Sequence, residues 1–152
     1  MIPLPPQPEA TTLTTFQEGN ETFQATPQTH AAWQAMRTAA EGDGIDLILV
    51  SAFRSIQRQQ ELVQAKRKKG LSDTEIFRVL ARPGFSEHHT GRALDLHTPQ
   101  SALLQEEFET TPAFQWLNQH AHTFHFHLSY PRDNPHGIIY EPWHWCFQRG
   151  RK

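Results

Sequence analysis

The chain has 152 residues, 37% of them hydrophobic, including ten Phe and four Trp. That is enough for one domain burying roughly 70% of its unfolded surface. A formal charge of −2 gives no general attraction to nucleic acid, the single Cys146 excludes an intrachain disulfide, and no run approaches the roughly 20 apolar residues of a membrane span.

Residues 1–28 are rich in Pro, Thr and Gln, with Pro3, Pro5, Pro6, Pro8 and Pro27, and read as an extended arm on the domain or a partly disordered segment. The first residues show neither the basic segment nor the apolar run of a signal peptide, so the chain as given reads as cytoplasmic while its compartment stays open. The domain proper is expected over 29–149. Thr29 is placed to cap a helix with Trp33, Met36 and Ala40 on one face, stopped by Gly42 and Gly44. The run 46–51 has strand length and reads as buried. Ser55 opens a helix through Ile56, Leu62 and Val63 that ends at Gly70; its Lys66, Arg67, Lys68 and Lys69 read as a solvated end complementing the helix dipole.

Ser72 and Glu75 form a capping box, with Leu71 and Ile76 spaced for a hydrophobic staple, on a helix expected to run to Ala81 before Pro83 and Gly84. A strand is predicted near 92–97. Thr111 with Pro112 opens a further helix presenting Phe114, Leu117 and Ala121 together, and strands follow near 123–129 and 143–147. Helices and strands mix without regular βαβ alternation, so the expected fold is α+β, a small mainly antiparallel sheet flanked by helices.

The chemistry concentrates in two segments. In Ser86-Glu-His-His-Thr-Gly-Arg-Ala-Leu-Asp95, the seven-residue separation of His88 and Asp95 suits neither one helix face nor one short strand. A turn at Gly91 leading into a strand would fold both side chains toward a common point. A neutral imidazole and a carboxylate are good Zn²⁺ ligands, and catalytic zinc takes three protein ligands. Tyr140-Glu-Pro-Trp-His-Trp145 offers His144 as the third, with Glu141 as a nearby carboxylate able to act as general base. Spacing alone leaves other histidines open as ligands.

These segments, Ser86-x-His88-x-x-Gly91-x-Ala93-x-Asp95 and Glu141-Pro-Trp-His144, resemble the VanY-type D-alanyl-D-alanine carboxypeptidases. That family lies in the zinc peptidase superfamily with VanX-like dipeptidases and Hedgehog signalling domains. Ser51-Ala-Phe-Arg54-Ser-Ile-Gln-Arg-Gln59 is similar to the family's Ser-x-Tyr-Arg-Ser segment, in the family's order. The resemblance implies one zinc ion held by His88, Asp95 and His144, Glu141 as base, and Arg54 stabilising the oxyanion. A rigid, permanently charged guanidinium suits that last role. Gln59 and Ser86 match positions lining the substrate cleft, and Trp143 and Tyr130 are assigned to its walls by analogy and position. The implied substrate is a peptidoglycan peptide ending in D-alanine or a similar residue; family members usually act on the cell wall, in the periplasm or outside the cell. Phe53 replaces the family's frequent Tyr, and His125 stands where relatives often have Gly.

Two other functions fit the same motifs. One is a murein endopeptidase of phage-lysin type, whose relatives tend to carry Asp-x-Pro-His where this chain has Glu141-Pro-Trp-His144. The other is a non-catalytic zinc-binding domain, against which the presence of both Glu141 and Arg54 argues. Among the remaining histidines, His97 is the best spare ligand, sharing a strand face with Asp95. His122, His125 and His127 read as structural or exposed, His89 as pointing away from the metal, His136 as solvated in a turn, and Cys146 as a small buried strand residue.

Overall fold

The structure is a computed structural model that describes residues 1–99, 101 and 104–148; position 149, the expected end of the domain, lies outside the described residues. A four-stranded antiparallel sheet organises the fold, built from β3 (Ile48–Ser51), β4 (Ala93–His97), β6 (His144–Phe147) and β5 (Phe126–Leu128) in that spatial order. Alternation gives it two different faces. Leu94 pairs with Trp145 and Phe126 with Phe147, and these side chains enter the core together with Leu49 and Leu96. Asp95 pairs with His144, which puts both on the opposite face.

The apolar face is covered by α1 (Pro27–Gly42) and α4 (Pro112–His120). Trp33, Met36 and Ala40 of α1 are completely buried, as their helical spacing predicts, and join Phe114, Trp116 and Leu117 of α4 in one core. Each large side chain removed from water contributes about 1.5–3 kcal/mol. The cap of α1 is Thr26, not Thr29. Pro27, whose fixed φ suits the first helical turn, starts the helix earlier, and Thr26 accepts from the Thr29 backbone N–H while Thr29 is buried.

Ser55 and Thr111 cap α2 (Ile56–Lys68) and α4 as predicted, and the Ser72–Glu75 capping box on α3 (Asp73–Val79) is closed in both directions. Helix α3 stops two residues before the expected Ala81: Leu80 is already extended, and the Ala81 carbonyl turns to accept from the Gln59 side-chain amide.

The amino-terminal region departs from its reading as an arm. Thr14–Glu18 (β1) and Glu21–Ala25 (β2) form an antiparallel hairpin around Gly19 and Asn20. Phe16 and Phe23 pair across it, Glu18 accepts a hydrogen bond from the Trp33 indole at 2.6 Å, and the Gln24 carbonyl accepts from Phe53 N–H. These contacts give the hairpin apolar cover that composition does not reveal. Residues before it lie extended on the domain, through Gln7 N–H to Gly84 O and Ala10 N–H to His89 O. Among the described residues no helix is long and apolar enough to cross a membrane.

Candidate active site

The polar face of the sheet holds the chemistry. Glu87–Thr90 makes one 3₁₀ turn, capped by Ser86, and ends at Gly91 in the left-handed region with φ of 72°. A Cβ there would come within 2.8 Å of Leu13 Cδ2 and 3.2 Å of the Thr26 backbone nitrogen. Only glycine meets both requirements. This reversal swings His88 back over β4, so that its Nε2 lies 3.2 Å from Asp95 Oδ2. Across the strand pair, His144 Nδ1 is 3.2 Å from the other carboxylate oxygen, Asp95 Oδ1.

Ligand atoms of His88, Asp95 and His144 lie within 4.8 Å of one another, and all three residues are buried. Ligands about 2.0–2.1 Å from a tetrahedral ion stand roughly 3.3 Å apart, so this donor set fits zinc. The other nitrogen of each ring is occupied. His88 Nδ1–H donates to the Ala52 carbonyl at 2.7 Å, and His144 Nε2–H donates to Glu87 Oε1 at 2.9 Å.

Electrostatics mark the place as one suited to a cation. Burial would lower the His144 pKa, yet hydrogen bonds and charge from Asp95 and Glu87 raise it to about 10. Burial would raise Glu87, but His144 outweighs it, with Ser129 adding, and holds the carboxyl down at about 2. Asp95 is likewise held well below the ordinary carboxylate range, both imidazoles overcoming its burial.

Glu141 differs. Its oxygen stands 3.8 Å from His144 Nδ1, outside the ligand set, and burial raises its pKa to about 7; His144 and Arg54 oppose the rise, while Asp95 and Glu87 add to it. A carboxyl with a pKa near neutrality, beside a metal-competent trio, suits proton transfer at physiological pH.

Arg54 faces the same cleft of about 510 Å³, which is lined also by Gln59, Ser86, Tyr130, Trp143, Glu141 and the three candidate ligands. Its guanidinium donates to Gln59 Oε1 at 3.1 Å and Ser51 Oγ at 3.3 Å. Gln59 is almost fully buried and also donates to Ala81 O, so much of its hydrogen bonding goes to holding Arg54. Ser86 Oγ accepts from His88 N–H, Tyr130 lies with its ring 5.0 Å from that of His144, and the Trp143 carbonyl accepts from Leu96 N–H. Leu80, Leu104, Ile138 and Ile139 give the cleft an apolar stretch, and Lys66 reaches it from the helix end read as solvated.

Sequence reading overlooked two partners. Glu87 was hidden between motif residues, and its contact with His144 spans 57 positions. His89 lies outside the candidate trio, but it is fully buried: its Nε2 accepts from Gly84 N–H and its Nδ1–H donates to Arg54 O at 2.8 Å, fixing the backbone behind Arg54. His97 stays outside the trio, near Ser101 Oγ. His122 and His125 are exposed, His125 in the left-handed region with φ of 68°, which gives a physical reason for glycine at that position. Cys146 is buried in β6, and His136 Nδ1–H donates to Ile2 O.

The sequence pattern of the family described as D-alanyl-D-alanine carboxypeptidase, VanY, matches residues 22–150. The chain belongs to this family. It is 34% identical over 118 residues to the putative carboxypeptidase YodJ of Bacillus subtilis, covering 74% of this chain and 42% of that protein. The VanY-family chain thus spans less than half the length of that curated relative. Its fold matches the LdcB LD-carboxypeptidase with a TM-score of 0.76 and 28% identity, over 93% of this chain and 65% of the other. It also matches a VanY D,D-pentapeptidase variant in complex with Zn(II), with a TM-score of 0.72 and 26% identity, over 96% of this chain and 86% of the other.

Proposed function

We propose that this VanY-family chain is a zinc-dependent carboxypeptidase that removes a terminal D-alanine, or a similar residue, from peptidoglycan peptides, with residues 29–149 carrying the catalysis. The observation that carries the reading is the grouping of His88, Asp95 and His144 with a separate, near-neutral carboxyl on Glu141. Family membership and the solved VanY neighbour with Zn(II) support it.

In this reading His88, Asp95 and His144 hold one zinc ion. When bound, zinc supplies Lewis acidity to water and to the scissile carbonyl. Glu141 takes the proton of the attacking water and delivers it to the leaving amine. Arg54, fixed by Gln59, Ser51 and the backbone contact to His89, donates to the negative charge that develops on the carbonyl oxygen. The apolar stretch of the cleft receives aliphatic parts of the peptide, and Trp143 and Tyr130 limit access of bulk water.

Two substitutions test this assignment. Glu141→Ala should keep stoichiometric zinc and lose hydrolysis, whereas His144→Ala should lose the metal as well. Hydrolysis at the unsubstituted rate by Glu141→Ala would remove Glu141 as the base. Full zinc retention by His144→Ala would move the third ligand elsewhere.

A further inference from the structure

We propose that Glu87, anchored by Ser129, is the positioning residue for His144: it turns the ring so that Nδ1 faces the metal, and thereby sets the metal affinity of the site. The inference rests on the metallopeptidase reading above and adds to it a residue outside the motif-matched set. An imidazole offers two nitrogens, and the partner of one decides how the other is presented.

His144 Nε2 lies 2.9 Å from Glu87 Oε1, and the same oxygen accepts from Ser129 Oγ at 2.6 Å. The His144 and Glu87 side chains are only 3% and 15% exposed, so little water competes for these contacts. With Nε2–H committed to a carboxylate, the Nδ1 lone pair is left to ligate beside Asp95 and His88.

The local backbone explains how one turn does two things. Successive residues of a 3₁₀ turn point about 120° apart. Glu87 therefore reaches across to His144 on β6, while His88 points to Asp95 on β4. Ser129, just past β5, closes the arrangement from the sheet's far edge and stands next to Tyr130 of the cleft wall.

The two histidines are held by unlike partners. His88 donates to a neutral backbone carbonyl, whereas His144 donates to a charged carboxylate. A carboxylate partner makes the ring the more basic ligand. A buried carboxylate is costly unless hydrogen-bonded, and a neutral amide would satisfy packing alone.

The test is the zinc dissociation constant of the full chain, by competition with a fluorescent chelator, for the unsubstituted protein, Glu87→Gln, Glu87→Ala and Ser129→Ala. Glu87→Ala should weaken zinc binding by about 10–100-fold. Glu87→Gln, keeping an acceptor without the charge, should fall between, and Ser129→Ala should show the smallest loss. Long-range ¹H–¹⁵N spectra of the zinc-loaded unsubstituted protein should place the His144 proton on Nε2. If Glu87→Ala fails to fold by circular dichroism, the other two variants carry the comparison.

Zinc affinity within twofold of the unsubstituted value in every folded variant would overturn the inference, as would a His144 proton on Nδ1. Tight zinc binding indifferent to Glu87 would sink this inference and leave the metallopeptidase reading standing. Failure of the unsubstituted chain to bind zinc would sink both.

Discussion

At the residue scale the account turns on Glu141 and Arg54, which differ in how they are held. Glu141 keeps its carboxyl free of the ligand set and raised to about 7 by burial. In the metal-free protein its ¹³C carboxyl resonance should therefore titrate near neutrality, and zinc should lower the midpoint by placing positive charge beside it; a midpoint of about 4.5 without metal would refute the burial argument. An acid with a raised folded-state pKa favours folding in its neutral form, so that contribution is full below the unfolded pKa and is lost as pH rises through about 7. His144, raised to about 10, acts in the same direction above its unfolded pKa. Glu141→Gln should thus lessen the loss of denaturant stability of metal-free protein between pH 5 and 8. Arg54 relies on fork geometry toward Gln59 and Ser51, so Arg54→Lys should retain zinc and lower kcat by about 10²–10³-fold, the loss typical of a removed oxyanion donor. The place of Arg54 in the cleft was legible from its motif. Ser51 and Gln59, which hold it, lie in that same motif, whereas the contact with His89 spans 35 positions and has no local signal.

At the scale of elements, capping chemistry and periodicity placed α1, α2, α3, α4 and β4 within a few residues, since each carries a local signal such as Ser55, Ser72 or Thr111. The hairpin β1–β2 was missed although Gly19-Asn20 between alternating residues is itself a two-residue turn signal. The surrounding Pro, Thr and Gln composition outweighed it, and the apolar partners that secure Phe16 and Phe23 lie elsewhere in the chain. The turn at Gly91 was legible because two candidate ligands seven apart require a reversal. Gly91→Ala combines a left-handed backbone with a 2.8 Å contact, and should cost about 2 kcal/mol or more in thermal or denaturant unfolding. It should also weaken zinc binding, because the same turn aims His88. A variant of unchanged stability would mean that the hairpin simply gives way.

At the scale of the whole molecule, the sheet separates two tasks. One face builds a core with α1 and α4, and the other gathers Asp95, His144 and the residues folded over them. Pairing of Asp95 with His144 joins positions 49 apart, a register no local pattern reveals; the family motifs implied only that the two share a site. Because the candidate ligands come from β4, β6 and the turn before β4, zinc should stabilise the entire fold, and a chelator should lower Tm by an amount that grows with the logarithm of the zinc affinity. The most direct measurement is incubation of the zinc-loaded chain with muropeptides of defined tetra- and pentapeptide length, read by mass. The account predicts loss of a single terminal alanine, abolished by chelation and restored by zinc. Cleavage inside the peptide, or alanine release that persists without metal, would contradict it.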